Sequence, residues 1–139
     1  MKKSLTILFL ASALILLAGC QTAPEAQTGL SLKDVARQAL KDPDAFIPYT
    51  AEDLYDLTGI SPDNYTEAVF LRDQDTLSGR EAIMIRAKNA DAARAAKEAL
   101  ERYLSQRKEE TRDYLPNAYH LLSDAKVESS GLTVSLIIQ

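Results

Sequence analysis

The stretch AVFLRDQDTLSGREAIMIR, residues 68–86, decides the fold of this chain. Its two apolar parts are interpreted as strands, and one face is assigned to Val69 and Leu71 on the first strand and to Ile83 and Ile85 on the second. This assignment uses the alternation of side chains between the two faces of a strand. The segment between the strands is polar and contains a glycine. Two such strands around a turn-forming loop predict an antiparallel β-hairpin.

A long helix and a second hairpin follow this stretch. Asn89 is a typical N-cap residue, and residues 90–113 carry apolar side chains at helical spacing. Beyond the helix, residues 125–129 and 133–138 flank a Ser-Gly pair, a pattern that predicts two further strands joined by a tight turn. The C-terminal half is therefore predicted to run helix, strand, strand.

Two short helices are predicted before the first hairpin. Each begins with a residue pair at the spacing of a capping box, Ser31 with Asp34 and Thr50 with Asp53. The apolar spacing that follows places the helices at about 32–41 and 51–58.

The resulting order of elements is α-α-β-β-α-β-β. Helices and hairpins that are segregated in this way predict an α+β fold. We expect a two-layer domain over residues 30–139, in which a mainly antiparallel four-stranded sheet of two hairpins packs on the long helix. The short N-terminal helices lie outside that core arrangement.

Residues 1–19 are interpreted as a lipoprotein signal peptide. Lys2 and Lys3 precede an uncharged apolar run over residues 5–17, which is shorter than the ~20 residues that a membrane-spanning helix needs. Leu17-Ala18-Gly19-Cys20 resembles the lipobox of bacterial lipoproteins. The resemblance implies cleavage between Gly19 and Cys20, and a diacylglyceryl group with acyl chains such as palmitate on the Cys20 sulfur.

The residues from Cys20 to Gly29 are predicted to form the lipidated end and a flexible tether. They include Thr, Pro, Gln and Glu without apolar periodicity. Nine residues of flexible chain span about 15–18 Å on average. Two acyl chains on one residue anchor stably, whereas one chain anchors only marginally. The domain is therefore expected close to a membrane but outside it.

The charge of the chain argues against nucleic acid as a partner. The formal net charge is −4, and loss of Lys2 and Lys3 with the signal leaves −6. An acidic domain without a basic stripe cannot neutralise phosphates.

No metal, cofactor or catalytic residue is assigned. His120 is the only histidine, and Cys20, the only cysteine, is expected to carry lipid. Asp73 and Asp75 resemble the start of a calcium loop, but the residues that should follow them do not match the EF-hand pattern. We interpret this segment as a solvated hairpin tip.

The segment from Leu54 to the C-terminus resembles a family of small lipoproteins of Gram-positive anaerobes, the domain of unknown function 4358. The likeness rests on five segments: Leu54-Tyr55-Asp56-Leu57-Thr58-Gly59-Ile60, Glu81-Ala82-Ile83-Met84-Ile85, Ala99-Leu100-Glu101-Arg102, Tyr114-Leu115-Pro116-Asn117-Ala118-Tyr119 and the closing residues 125–131. It implies a lipoprotein on a Gram-positive cell surface, and it transfers no activity and no functional residue.

The second face of the sheet has two candidate covers. We assign Ala68, Phe70, Ala82, Met84, Ser135 and Ile137 to that face, which is too apolar to be left in water. One cover is the N-terminal helix, through Leu32, Val35 and Leu40. The other is a partner or a second copy that docks on Phe70, Met84 and Ile137.

The expected function is that of a membrane-tethered, extracytoplasmic lipoprotein whose domain is a non-enzymatic binding or sensor module of the cell envelope. It would contact the membrane through the lipid on Cys20 and an envelope protein or polymer through the domain. The alternative is a small carboxylate-dependent envelope hydrolase, since glycoside cleavage needs only two acids at the right separation and the chain has 20.

Overall fold

A computed structural model describes residues 29–139. The predicted signal over residues 1–19, the cleavage point between Gly19 and Cys20, the lipidated Cys20 and the tether up to residue 28 lie outside the described residues.

The two short N-terminal helices begin at the predicted caps. Helix α1 spans Leu32–Ala39, and the Ser31 side chain accepts a hydrogen bond from the Asp34 N–H. Helix α2 spans Ala51–Thr58 and begins with a complete capping box between Thr50 and Asp53. Each capping side chain satisfies backbone N–H groups that have no partner within the helix. These local signals predict where helices begin because they act within one turn.

Helix α3, Ala90–Thr111, is the longest element, and helix α4 spans Pro116–Asp124. The Asn89 side chain accepts a hydrogen bond from the Ala92 N–H at 2.9 Å, which confirms the predicted start of α3. Residue Pro116 occupies the first turn of α4, where its missing N–H costs nothing.

The sheet is antiparallel throughout and has five strands in the order β1-β2-β3-β5-β4. The strands are β1 Phe46–Pro48, β2 Tyr65–Asp73, β3 Glu81–Ala87, β4 Val127–Ser130 and β5 Thr133–Ile138. The α+β class and both hairpins are confirmed, and the predicted count of four strands is wrong. Strand β1 was missed because it has three residues and ends in proline, too short for an alternating pattern.

The register of the first hairpin corrects the predicted faces of β2. Residue Phe70 pairs with Ile83, and Val69 pairs with Met84. Phe70 therefore shares a face with Ile83, and Val69 shares one with Met84, the reverse of the prediction. The apolar residues of β2 are contiguous, so its sequence suits either face, and a shift by one residue exchanges them.

Helix α1 covers the second face of the sheet. Leu32, Ala36 and Leu40 pack with Met84 and with the other buried residues of that face, Phe46, Val69, Leu71 and Ala82. Of the two candidate covers, the N-terminal helix is the one that the structure shows, and Val35 and Ile137 contribute as partly buried neighbours. The sheet thus lies between α1 on one face and the larger core with α3 on the other, which adds a third layer to the predicted two.

The loop of the first hairpin packs against α4 through Gly79. A Cβ atom at Gly79 would lie 2.7 Å from the Ala118 Cβ, and the φ of Gly79 is +74°. Gly59, which ends α2, has the same φ but nothing within 4 Å of a Cβ atom. The two glycines therefore share a backbone constraint, and only Gly79 also has a packing constraint.

We predict that Gly79→Ala destabilises the protein more than Gly59→Ala. Both variants bear the ~1–2 kcal/mol cost of a left-handed backbone with a side chain. Gly79→Ala adds an overpacking cost of about 1–3 kcal/mol against Ala118. Urea denaturation of both variants measures the difference. Equal losses would show that the hairpin loop does not press on α4 in solution.

Candidate functional site

The residues predicted as a partner-docking face do not form one. Phe70 is 3% exposed and lies in the core on the α3 side, whereas Met84 is 7% exposed and lies beneath α1. Ile137 packs beside that second cluster. The register separates Phe70 from Met84, and α1 occupies the face on which a partner was considered. The described fold therefore offers no docking surface built from these three side chains.

The side chains of His120 and Asp73, both considered in the sequence analysis, contact residues close to them along the chain. The His120 side chain is 80% exposed on α4, with Nδ1 3.4 Å from an Asp124 oxygen. The Asp73 carboxylate accepts hydrogen bonds from the Asp75 N–H at 2.9 Å and from Arg80 Nε at 2.5 Å. Asp73 thus closes the hairpin loop by binding Arg80 and a backbone N–H group of the loop.

Two further structural findings concern metals and membranes. Within residues 29–139, no three His, Cys, Asp or Glu side chains are grouped so that they could hold a metal ion. In the same part of the chain, no helix has the length and apolar character needed to cross a bilayer.

A buried charge cluster lies where the first hairpin meets α3. Glu81 is completely buried at the start of β3, opposite Arg72 on β2. The Tyr103 hydroxyl of α3 donates a hydrogen bond to Glu81 Oε2 at 2.9 Å, and Arg72 Nε lies 3.5 Å from the same oxygen. The other oxygen, Glu81 Oε1, and the buried Nε of Arg107 have no hydrogen-bond partner among the described residues.

The environment of Glu81 favours its protonated form. Burial raises the pKa of Glu81, and the charge of Arg107, the Tyr103 hydrogen bond and the charge of Arg72 oppose this increase. Burial and the neighbouring Glu81 also raise the pKa of Tyr103, which keeps its hydroxyl a donor. A raised carboxyl pKa is typical of general acids. Glu81 has no exposed surface, however, so no substrate reaches it in this structure, and the cluster joins the sheet to α3.

Sequence reasoning missed this cluster, although its parts were visible. The charged residues Arg72 and Glu81 each stand directly beside an apolar strand, and Tyr103 lies on the apolar side of the long helix. Their association depends on the pairing of the two strands, which opposes Arg72 to Glu81. A helix residue that carries a hydroxyl on its apolar face is a weak signal of a buried polar partner.

A solvent-open groove lies between α3 and the start of β4. It has a volume of about 400 Å³ and is lined by Glu101, Leu104, Ser105, Lys108, Lys126 and Val127. Leu104 and Val127 are its apolar residues, and two lysines contribute positive charge. Strand β4 is the last strand of the sheet, so the groove runs beside a sheet edge that pairs with no other strand of residues 29–139. No local sequence pattern indicates this groove, because α3 and β4 are separated by α4 along the chain.

A known protein family covers the part of the chain that contains both the Glu81 cluster and the groove. A family model described as "Domain of unknown function (DUF4358)" matches residues 45–139. The chain belongs to the DUF4358 family. The DUF4358 match extends from the residue before β1 to the last residue and includes both Glu81 and the groove, whereas α1 precedes it. No curated protein and no solved structure matches this DUF4358 chain.

We predict that Glu81→Gln changes the pH dependence of stability. The pKa of Glu81 is higher in the folded protein than its unfolded value of 4.5. The stability that Glu81 contributes is therefore fully present below pH 4.5. It is lost as the pH rises through the folded-state pKa. The wild type should therefore lose stability relative to Glu81→Gln between pH 4.5 and neutral pH. Urea denaturation over this pH range measures both proteins.

Tyr103→Phe is the matched control for the same cluster. It removes a hydrogen bond that lowers the pKa of Glu81, so the loss of stability with rising pH should extend to higher pH and become larger in total. The variant should also lose about 1–3 kcal/mol, the cost of leaving a buried acceptor without its donor. A pH profile that is the same in all three proteins would contradict the assignment of a raised Glu81 pKa.

Proposed function

We propose that the protein is a lipid-anchored, extracytoplasmic binding module of the cell envelope, a small domain held on the outer surface of a Gram-positive membrane. The proposal joins the lipobox at Leu17-Ala18-Gly19-Cys20 to a domain that begins with α1. The lipid on Cys20 supplies the membrane contact, and the domain supplies the contact with an envelope protein or polymer, as a binding or sensor module.

The length of the tether supports this arrangement. Leu32 is buried beneath the sheet and Ser31 caps α1, so the folded domain begins within three residues of Gly29. We propose that the nine residues from Gln21 to Gly29 act as the tether, since a flexible chain of nine residues would span about 15–18 Å. That distance holds the domain beside the membrane surface, where other envelope components are within reach.

The groove beside β4 is the observation that carries the binding role. It combines an apolar floor, two lysines and an unpaired strand edge in one solvent-open place. Binding sites in proteins combine apolar contact with a few polar groups that orient the ligand. A hydrolase would instead need two carboxyl groups facing one substrate. Glu101 is the one carboxylate that lines the groove, and Glu81 is enclosed in the core.

Binding and hydrolysis give different results with purified envelope polymer. We predict that the full chain, incubated with cell-wall polymer or envelope fragments, sediments with them and releases no soluble product. Glu101→Gln removes the carboxylate of the groove, and this variant should still sediment with the polymer and release no soluble product. Release of soluble sugar or peptide that is lost in Glu101→Gln would establish the hydrolase alternative.

The anchor is tested separately at Cys20. We predict that the wild-type protein requires detergent for extraction from membranes and that Cys20→Ala releases it from the lipid-dependent fraction, because two acyl chains anchor a protein stably. Mass spectrometry of the mature protein should find the lipid on Cys20. Shedding of full-length wild-type protein into detergent-free buffer, without lipid mass on Cys20, would contradict the anchor.

A further inference from the structure

We infer that the free edge of β4 and the adjoining groove bind an extended, acidic segment of another envelope protein, which adds to the sheet as a sixth strand. The inference rests on the proposed binding function and names the chemistry of the partner. It combines three observations: the direction of the backbone groups of β4, the apolar floor of the groove, and the positive charge of its lysines.

The orientation of β5 follows from a hydrogen bond at its start. The Ala87 N–H donates to the Leu132 carbonyl at 2.8 Å, so Leu132 directs its backbone oxygen towards β3. Alternate residues of a strand direct their N–H and C=O groups to the same neighbour. Thr133 and Ser135 therefore direct theirs to the other side, towards β4.

The orientation of β5 determines which groups of β4 are free. Thr133 pairs with Ser130, and Ser135 pairs with Glu128, so these residues of β4 use their backbone groups on β5. The other two residues of β4, Val127 and Ser129, direct their N–H and C=O groups outward. An incoming strand would bond to these two residues, which is the geometry of β-strand addition.

The opposite edge of the sheet is less suited to strand addition. Strand β1 has three residues and ends in Pro48, which has no N–H to donate. Short length and proline are the usual protection of an edge strand. Strand β4 has the sequence Val-Glu-Ser-Ser and contains no proline. A lysine beside an edge can also protect it, so the role of Lys126 is part of the test.

The floor and flank of the groove complement an inserted strand. Leu104 is nearly buried on α3, and Val127 is partly buried on β4. The side chains of Val127 and Ser129 lie on the face of β4 that is turned towards α3. An added strand would therefore place every second side chain against the side of α3 that lines the groove. An apolar side chain would contact the floor, and its neighbours two positions away would lie over the rim.

The charge at the rim favours acidic side chains. Lys108 and Lys126 line the groove and have no carboxylate oxygen within 4.0 Å among residues 29–139. Glu101, the acidic residue of the groove, has its Oε1 atom 3.9 Å from Nζ of Lys97, a lysine outside the groove. The mature chain as a whole is acidic, so this pair of lysines is a local exception that complementary charge would exploit.

The test uses a defined peptide and the full chain purified in mild detergent. The probe is acetyl-Thr-Glu-Thr-Val-Thr-Glu-amide with a fluorophore, which as a strand places one valine and two glutamates on the same face. Fluorescence anisotropy should detect binding in the millimolar range or tighter at low salt, and added salt should weaken it. The control probe carries lysine in place of both glutamates and should bind at least about tenfold more weakly, a difference of about 1.4 kcal/mol.

Variants locate the site. The double variant Lys108→Glu, Lys126→Glu should weaken binding of the acidic probe at least about tenfold, and Lys33→Glu on α1 should leave it unchanged. Ser129→Pro removes one outward N–H and should also abolish binding. Circular dichroism checks that each variant is folded. If Ser129→Pro does not fold, the lysine variants alone test whether the groove binds the peptide.

Three results would overturn the inference: no binding at millimolar peptide, equal binding of the two probes, or unchanged affinity in the double lysine variant. A stable dimer that Ser129→Pro dissociates, without peptide binding, would assign the edge to a second copy instead. Peptide binding in detergent does not require lipid on Cys20 or inertness towards envelope polymer. Failure of this inference is therefore distinguishable from failure of the proposed function.

Discussion

The register between β2 and β3 is the constraint on which the rest of the structure depends. Pairing of Phe70 with Ile83 directs both side chains into the core with α3, and it directs Val69 and Met84 towards α1. A shift by one residue would exchange the two faces. A shift of β2 along β3 would also turn Arg72 away from Glu81, the residue with which it is paired. One pairing thus determines both cores and the charge cluster.

The register buries the Glu81 carboxyl group, which costs free energy, and the partners of Glu81 help to fix the position of α3 on the sheet. A carboxyl group with no exposed surface loses its hydration, and the raised pKa of Glu81 reflects that loss. The Tyr103 hydroxyl and Arg72 compensate only when α3 and β2 are correctly placed. Breaking a buried pair leaves an unpaired group at high cost. The cluster therefore disfavours other alignments of α3 on the sheet.

Coverage of both sheet faces leaves the edges as the remaining exposed part of the sheet. Helix α1 closes one face and the core with α3 closes the other, so the docking surface considered from the sequence is occupied internally. Of the two edges, β1 ends in proline, whereas β4 adjoins a groove whose two lysines have no carboxylate partner among residues 29–139. This asymmetry directs the proposed binding role to the β4 side of the domain.

The sequence by itself determined the local elements and the α+β class. The caps Ser31, Thr50 and Asn89 act within one helical turn, and the hairpins follow from alternation and turn residues. The tertiary structure alone decided the faces of β2, because its contiguous apolar run suits either face. It also decided the partners of Glu81 and the groove beside β4. These features join residues that are distant along the chain, and no local pattern encodes such contacts.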